Sequence, residues 1–208
     1  MNQSQKNCLM IYLLLRETVG RLGKVTSAHF DFSQLSSKYP AYKRGELPNI
    51  FNPALATGGL MDLGIYCVYP AVDLFGIPDD IAAKATFLSS GADGAGSVIF
   101  NYADKVVTFT YSKLAQDRVG SQIFGDEGTP KIGSISKLTE MELIAENGEK
   151  YSVHGDTPKA ELMGNEAKAF ERFIAGNDAD KYVLSSKIAL QVSRLMKRIR
   201  ETAGIHFG

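Results

Sequence analysis

The stretch Thr57-Gly58-Gly59-Leu60-Met61-Asp62-Leu63-Gly64-Ile65-Tyr66-Cys67-Val68-Tyr69-Pro70-Ala71-Val72-Asp73-Leu74-Phe75-Gly76 decides how the 208-residue chain is interpreted. Apolar residues recur along it at helical spacing, which predicts a helix with one apolar face. That face comprises Met61, Ile65, Val68, Val72 and Phe75, flanked by Leu63, Cys67 and Leu74. Asp62 and Tyr66 are four residues apart and therefore share one side of the helix, and Tyr69 and Asp73 continue the stripe.

The Asp62–Tyr66 pair has two interpretations. Burying a carboxylate and a phenol on a mostly buried helix costs free energy unless they are hydrogen-bonded, and the cost is otherwise tolerated only where they serve a function. The first interpretation is an internal pair in which the Tyr66 hydroxyl donates to Asp62, and the second is a functional site. Gly58-Gly59 allows a backbone or a ligand to approach the start of the helix closely. Pro70 cannot donate a hydrogen bond to the Tyr66 carbonyl, which predicts a kink.

Composition excludes several classes of function. Lys plus Arg and Asp plus Glu both total 23, so the formal net charge is zero, which argues against nucleic-acid or membrane-surface binding. We find neither an apolar run of membrane-spanning length nor a signal-peptide pattern, and we expect a cytoplasmic protein. The three histidines are scattered, so no metal site is expected. Cys8 and Cys67 are interpreted as reduced core residues.

The segment before the central helix predicts a helix over residues 5–21 and a strand over 24–32. Residues 33–56 form a long irregular connection in which aromatic and basic residues are interleaved, notably Tyr42, Lys43 and Arg44. Connections of this length are usually functional or disordered. We interpret this one either as an ordered, ligand-facing loop or as a structural Ω-loop.

After the central helix the apolar period changes to two, which predicts successive strands. They cover residues 82–89, 96–102, 105–113, 119–124, 130–135, 139–145 and 150–154. Two helices follow over 160–176 and 183–203, and a short strand over 204–208 is expected at the end. The inward residues of these helices are Leu162, Ala169, Phe170 and Phe173, then Ile188, Val192, Leu195, Met196 and Ile199. The prediction is an α+β fold in which helices pack on one face of an open, mainly antiparallel sheet.

The glycine cluster Gly91-Ala92-Asp93-Gly94-Ala95-Gly96 is similar in composition to a phosphate-binding loop. A phosphate-binding glycine turn must open a helix, whose N-terminus holds the phosphate. Here a strand follows, at Ser97-Val98-Ile99-Phe100. We therefore interpret the cluster as a hairpin loop.

The run from Gly58-Gly59 through Asp62 and Gly64 to Tyr66 resembles the signature of the C-terminal domain of the Gfo/Idh/MocA oxidoreductases, a glycine pair followed by Asp-x-Gly-x-His/Tyr. Three further segments agree in order with the same family: residues 22–25, residues 123–128 and the last two helices with their tail. The resemblance covers nearly the whole chain. It implies the glyceraldehyde-3-phosphate dehydrogenase-like fold of that C-terminal domain.

The resemblance implies catalytic roles for Asp62 and Tyr66, which would bind the substrate hydroxyl or carbonyl and help to move its proton while hydride passes to or from the nicotinamide. Gly58 and Gly59 would lie near the cofactor. Tyr42, Lys43, Arg44 and Tyr69 are the candidate substrate-binding residues. A tyrosine needs a nearby cation to exchange protons near neutral pH, and in the family that cation is the lysine of a Glu-Lys-Pro motif.

The chain contains neither that motif nor the Rossmann half of the family. We expect residues 1–23 to be a remnant helix following the missing Rossmann domain, and residues 24–208 to be the substrate-binding and oligomerisation domain. The cofactor of the intact family is NAD(P), and none is expected for this chain alone, which is expected to be inactive by itself. The implied substrate is a sugar, a polyol or a dihydrodiol.

Homo-oligomerisation through the sheet is expected because Val98, Phe100, Val107 and Phe109 are too many for two or three helices to cover. The alternative function is a non-catalytic binding or assembly module derived from the same family.

Overall fold

A computed structural model describes residues 8–155 and 158–207 of the chain. The helices are α1 (Cys8–Val19), α2 (Tyr39–Lys43), α3 (Ile65–Phe75), α4 (Lys159–Ile174) and α5 (Ala179–Thr202). The strands are β1 (Val25–Ser33), β2 (Asp80–Phe87), β3 (Asp93–Asn101), β4 (Val106–Ser112), β5 (Ser121–Gly125), β6 (Gly128–Ile132), β7 (Glu140–Ala145) and β8 (Lys150–His154). Short 3₁₀ turns cover Asn49–Phe51 and Pro53–Leu55, and a π-helical turn, Leu60–Gly64, leads directly into α3. We call that segment the π-turn.

The eight strands form one open sheet in the order β2-β3-β4-β1-β5-β6-β7-β8. Every neighbouring pair is antiparallel except β1–β4, which is parallel. Tight turns close the β3–β4, β5–β6 and β7–β8 hairpins, as the turn signals at residues 102–105, 125–128 and 147–148 predicted. The prediction of an α+β fold built on a mainly antiparallel sheet is confirmed.

One face of the sheet is buried beneath helices. The register places Ala28 beside Val107 and Phe30 beside Phe109, and these side chains point toward the helices. α1 packs on β6 and β7, α3 on β1 and β4, and α5 on β2, so each helix covers a different part of the sheet. The other face of the sheet carries mainly small and polar side chains, such as those of Ser27, Ser97 and Thr110.

The helices cover Val98, Phe100, Val107 and Phe109 together, so the prediction that these residues are too many for them is wrong. All four side chains are buried in the core. Alternation along a strand places them on the same face, and the three helices lie side by side across that face. Any interface on this sheet must therefore use other residues.

The central helix differs from its prediction in two respects, the helix type at its start and some of the residues on its buried face. It begins as the π-turn. Leu63, Cys67, Val68 and Val72 are buried as predicted, and the other buried residues are Leu60, Gly64, Pro70 and Ala71. Met61 and Ile65, which were assigned to the apolar face, are exposed. The prediction placed the buried face wrongly at these two positions because it followed hydrophobicity. Gly64 and Ala71 are only weakly hydrophobic, but they are buried because small residues allow the helix to approach the sheet closely. Cys67 is a buried free thiol, as predicted, and the side chain of Cys8 lies outside the described part of the structure.

The C-terminal region follows its prediction only in part. In α5, Val192, Leu195, Met196 and Ile199 are buried as predicted. In α4, Phe170 is 64% exposed, so its assignment to the interior is wrong, while Leu162 is among the side chains not described.

The expected final strand is absent over residues 204–207, and Gly208 lies outside the described residues. Instead the tail turns back on the end of α5. The Ile205 N–H donates to the Arg200 carbonyl at 2.9 Å, and the Arg200 guanidinium lies 4.7 Å from the Phe207 ring centroid.

Candidate functional site

Asp62 lies in the middle of the π-turn, beside the core but open to solvent. Its N–H donates to the Gly58 carbonyl at 3.3 Å, and its side chain is 50% exposed. π-helical turns are rare and occur mostly at functional sites, because the inserted residue changes the direction of the side chains around it. The π-turn thus presents a carboxylate that the predicted buried helix would have hidden.

Lys113 forms an ion pair with Asp62 Oδ2. It directly follows β4, and its backbone is fixed on both sides: its N–H donates to the Gly94 carbonyl at 2.8 Å, and its carbonyl accepts from the Ser36 N–H at 2.9 Å. Its side chain is only 6% exposed. A buried ammonium group needs a counter-charge, so Lys113 and Asp62 hold each other in place.

Asp93, at the start of β3, anchors the beginning of the π-turn. The Leu60 N–H donates to Asp93 Oδ2 at 2.6 Å. The Asp93 side chain is fully buried, and its Oδ1 has no hydrogen-bond partner among the described residues. Burial raises the pKa of Asp93 to about 6, although the Leu60 hydrogen bond and the nearby Lys113 charge oppose that rise.

The glycines of the signature are explained by close approach. A Cβ on Gly58, whose φ is +149°, would overlap Asp93 Oδ1, and a Cβ on Gly59 would lie 3.0 Å from the Tyr111 ring. A Cβ on Gly64 would come within 2.9 Å of Leu60. These glycines let the π-turn pack on the ends of β3 and β4. Proximity of Gly58 and Gly59 to a cofactor stays a prediction.

Tyr66 lies one turn beyond Asp62 and is 46% exposed. Its ring packs edge-on against Phe32 of β1, with centroids 5.0 Å apart. Its hydroxyl makes no hydrogen bond to Asp62 or to any other described residue, so the interpretation of an internal Tyr66–Asp62 pair is wrong. The ring is positioned by packing, and the hydroxyl is left available.

A cavity of about 530 Å³ lies against this side of the helix. It is lined by Tyr12, Met61, Asp62, Ile65, Tyr66, Tyr69, Pro70, Ile135 and Leu138. Its volume lies in the range of small-molecule sites, and it has the usual composition of an apolar and aromatic wall with few polar groups. The predicted residues Asp62, Tyr66 and Tyr69 are brought together here.

The far end of the helix carries a second tyrosine–aspartate pair. The Tyr12 hydroxyl, from α1, donates to Asp73 Oδ2 at 2.5 Å, and Arg16 lies 3.6 Å from the same oxygen. Burial, followed by the hydrogen bond to Asp73, raises the pKa of Tyr12 well above its ordinary value. This pair links α1 to α3 at the edge of the cavity.

Tyr42, Lys43 and Arg44 do not line the cavity. Tyr42 and Lys43 end the short helix α2, where the Tyr42 hydroxyl bonds to Ser89 Oγ at 2.6 Å. Lys43 lies over the Tyr39 ring, and Arg44 pairs with Glu46 at 2.8 Å. Their role in substrate binding stays a prediction, and the cavity gives it no support.

Sequence reasoning missed Lys113 and Asp93. Lys113 was assigned to the end of a strand, and Asp93 to a glycine cluster regarded as a hairpin loop. Only Gly91 and Ala92 of the cluster lie in the β2–β3 hairpin loop, so that prediction is right in part: residues 93–96 begin strand β3. The glycines make room for side chains, since a Cβ on Gly96 would overlap the Tyr111 hydroxyl and one on Gly94 would meet Leu114. The sequence signal that could have identified Asp93 is its position among glycines, because glycines mark places where backbone segments approach closely and a carboxylate there can accept a backbone hydrogen bond.

Two classes of site receive no support within residues 8–155 and 158–207. No group of three or more His, Cys, Asp or Glu side chains there could hold a metal ion. No helix in that part of the chain is long and apolar enough to cross a membrane.

Comparison with known proteins places these features in a family. Residues 14–131, more than half of the chain, match the family model of the GFO/IDH/MocA C-terminal domain. The chain is 33% identical over 191 residues to the scyllo-inositol 2-dehydrogenase (NADP(+)) IolU of Bacillus subtilis, covering 92% of this chain and 58% of that protein. It is 32% identical over 200 residues to the uncharacterized oxidoreductase YgjR of Escherichia coli, covering 96% and 60%. The chain therefore spans about 60% of the length of these relatives.

The fold also matches a solved structure. A levoglucosan dehydrogenase in complex with NADH and levoglucosan superposes with a TM-score of 0.72 at 17% identity, covering 93% of this chain and 60% of that one. At this identity the likeness concerns the fold alone. The matched family model and the two curated relatives together show that the chain belongs to the GFO/IDH/MocA family and corresponds to its C-terminal domain.

Proposed function

We propose that the chain is the substrate-binding domain of an NAD(P)-dependent oxidoreductase that acts on a hydroxyl or carbonyl group of a sugar, polyol or dihydrodiol. The observation that carries this proposal is the cavity in which the half-exposed Asp62 carboxylate lies one helical turn from the available Tyr66 hydroxyl. Asp62 accepts hydrogen bonds, and Tyr66 both donates and accepts them. Two such groups suit a substrate with adjacent hydroxyls.

The walls of the cavity suit a cyclic polyol. The C–H faces of such a ring are apolar and pack on aromatic and aliphatic side chains, here those of Tyr69, Ile135 and Leu138. Its hydroxyls then point toward Asp62 and Tyr66. Lys113 occupies one Asp62 oxygen, so the exposed part of the carboxylate accepts a substrate hydroxyl. Positioning of this kind is what brings a reacting C–H bond to a hydride acceptor.

The relatives support this class of substrate. The name of the Bacillus subtilis relative specifies scyllo-inositol, and the matched structure contains levoglucosan. A mouse relative that is 30% identical over 141 residues is named trans-1,2-dihydrobenzene-1,2-diol dehydrogenase. All three compounds carry hydroxyls on a six-membered ring.

The hydride carrier in this proposal is NAD(P), which would accept or return hydride at its nicotinamide. The described residues do not fit a dinucleotide: β1–β4 is the only parallel pair among them, and the glycine cluster of β3 is filled by Tyr111 and Leu114. The residues of this chain are therefore assigned only substrate binding and the proton exchange of the reacting hydroxyl. We expect no hydride transfer by this chain alone. A fluorescence titration with NADPH and NADH tests this expectation, and we expect it to show no binding at micromolar concentrations.

Calorimetric titration with scyllo-inositol and levoglucosan tests the proposal directly. We expect each of Asp62→Asn and Tyr66→Phe to lower the affinity about tenfold, or about 1.4 kcal/mol, since the first removes the charge that strengthens a hydrogen bond to the ligand and the second removes the hydroxyl that makes one. Tyr151→Phe is the matched control, because Tyr151 is an exposed tyrosine of β8 away from the cavity. Equal binding by wild type, Asp62→Asn and Tyr66→Phe would contradict the assignment.

A second proposal, self-association through the sheet, is favoured by a separate observation. Val106, Ser27 and Phe124 are adjacent in register on the sheet face opposite the helices, and Val106 and Phe124 are exposed. Ile99 lies on the same face and is also exposed. Apolar side chains grouped on an uncovered sheet face mark an interaction surface. Light scattering at micromolar concentration tests it: we expect a dimer that Phe124→Glu converts to a monomer, and a monomeric wild type would contradict it.

A further inference from the structure

Two buried charged residues adjoin the π-turn without lining the cavity. Lys113 directly follows β4 and Asp93 begins the neighbouring strand β3, and both side chains are almost completely buried. Buried charges are retained at a cost in free energy, which is tolerated when their geometry is needed. Each contacts a different part of the segment that carries Asp62.

Asp93 fixes where the π-turn begins. It accepts the Leu60 N–H, which is one of the unpaired backbone donors at the start of any helix. Its second oxygen faces Gly58, whose lack of a side chain permits that approach. A hydrogen bond from a backbone N–H to a carboxylate is stronger than one to a neutral acceptor. The contact therefore holds the first residue of the π-turn in place.

Lys113 fixes the direction of the Asp62 side chain. Its backbone is bonded to Gly94 and to Ser36, so its ammonium group is presented from a rigid position. It engages Oδ2 of Asp62, while half of the Asp62 side chain remains exposed. One oxygen of the Asp62 carboxylate is therefore bound by Lys113, and the other is available to a ligand. Lys113 also lies close enough to Asp93 for its charge to favour the Asp93 carboxylate.

We propose that Lys113 and Asp93 are positioning residues for Asp62: Asp93 locks the start of the π-turn, and Lys113 holds one carboxylate oxygen so that the other faces the substrate hydroxyl. The part of this inference that concerns substrate rests on the proposed function. The part that concerns the π-turn does not, and the two are measured separately.

Amide hydrogen exchange of the 208-residue chain, followed by NMR, measures the positioning. We expect Asp93→Leu and Lys113→Met to lower the protection of the Leu60 and Asp62 amides at least about tenfold relative to the amides of residues 192–199 in α5. Asp93→Asn keeps an acceptor oxygen and is expected to retain most of the protection at Leu60. Lys84→Met is the matched control, since Lys84 is exposed on the opposite face of the sheet, and it is expected to leave both segments unchanged.

The ratio between the two segments separates local loosening from a general loss of stability, and Asp93→Asn and Lys113→Arg serve where the larger changes prevent folding. Unchanged protection at Leu60 in Asp93→Leu, or at Asp62 in Lys113→Met, would overturn the proposal. So would equal loss of protection at Leu60 in Asp93→Asn and Asp93→Leu, because a hydrogen-bond anchor would then play no part.

The substrate arm uses scyllo-inositol as the probe. We expect Lys113→Met to weaken binding about tenfold and Lys113→Arg, which keeps the charge, to restore it to within about threefold of wild type. Binding that is unaffected by Lys113→Met would overturn the role of Lys113 toward the substrate. If wild type binds no polyol while the exchange results hold, the proposed function fails and the positioning of the π-turn by Lys113 and Asp93 stands.

Discussion

The two ends of the central helix carry the same pair of residue types in opposite states. At the C-terminal end, Asp73 is buried and accepts a 2.5 Å hydrogen bond from Tyr12. At the N-terminal end, Asp62 is half exposed and paired with Lys113, and the Tyr66 hydroxyl is free of described partners. The internal tyrosine–aspartate pair that sequence alone suggested for Asp62 and Tyr66 thus exists in this protein, but at Asp73.

The difference lies in what packs around each carboxylate. α1 covers Asp73 and supplies its donor, which makes that end a structural contact between two helices. The π-turn rotates Asp62 away from the core, and only its Lys113 side is closed. A tyrosine and an aspartate that are hydrogen-bonded to each other stabilise the fold. A tyrosine and an aspartate that are positioned by other groups keep hydrogen-bonding capacity for a ligand.

The largest expected effect comes from changing the glycines that flank the helix. Gly58→Ala would overlap Asp93 Oδ1 at a positive φ, and we expect it to lower the free energy of unfolding by about 3 kcal/mol. Gly76→Ala, at the other end, meets no atom within 4 Å but has a backbone conformation (φ +80°, ψ −159°) that is almost confined to glycine, so we expect a smaller loss of about 2 kcal/mol from backbone strain alone. Urea denaturation of both variants measures the difference. Equal losses would show that the N-terminal end is no more tightly packed than the other.

The next effect is a dependence of stability on pH that belongs to the N-terminal end. The groups around Asp93 are the Leu60 N–H of the π-turn, Tyr111 of β4, and Lys113, which directly follows β4. Because burial raises the pKa of Asp93 from 3.8 to about 6, the folded chain binds this proton more tightly than the unfolded chain. The resulting stabilisation is fully present below about pH 3.8 and is lost as the pH rises through about 6. Its size is at most about 3 kcal/mol.

Asp93→Asn isolates this contribution from those of the other carboxylates. The difference in unfolding free energy between wild type and Asp93→Asn, measured by urea denaturation from pH 4.5 to 7.5, should shift in favour of the wild type as the pH falls. A difference that stays constant across this range would mean that Asp93 does not titrate there.

The third effect separates the two tyrosines. Tyr12→Phe removes the hydrogen bond to Asp73, and we expect it to lower the free energy of unfolding by about 1–2 kcal/mol. Tyr66→Phe removes a hydroxyl without a described partner, so we expect a change within about 0.5 kcal/mol. Thermal unfolding of both variants measures this contrast. A stability loss in Tyr66→Phe as large as that in Tyr12→Phe would mean that Tyr66 is a structural residue too.

The sequence predicted the sheet well because apolar and polar residues alternate along its central strands, where Val98 and Phe100 of β3 and Val107 and Phe109 of β4 are buried on one face. The predicted strands 96–102 and 105–113 correspond to β3 and β4 to within a few residues. The π-turn could not be predicted from local pattern, and the hydrogen bond at its start, from the Leu60 N–H to Asp93, joins residues 33 positions apart. The buried face of the helix was predicted incorrectly for a related reason. Gly64 is buried where Tyr111 and Leu60 leave no room for a side chain, and the hydrophobicity of the sequence does not show such a contact.

The candidate site was predicted only where its residues are close in sequence. Asp62, Tyr66 and Tyr69 lie on one helix, and their common side follows from helical periodicity. Lys113 is 51 positions from Asp62 and reaches it only because β4 ends beneath the π-turn. Tyr12 lines the same cavity from α1, and no local pattern relates it to Asp62.

The smallest expected effect concerns the cations at the two ends. Arg16 lies 3.6 Å from Asp73 with 47% of its side chain exposed, whereas Lys113 is buried against Asp62. An exposed ion pair contributes between about 0 and 1 kcal/mol and is screened by salt. We therefore expect Arg16→Gln to lower the free energy of unfolding by at most about 1 kcal/mol, and the loss to shrink between low and high salt in urea denaturation. A larger, salt-independent loss would place Arg16 among the buried supports of the helix, and the contrast between its two ends would then rest on the tyrosines alone.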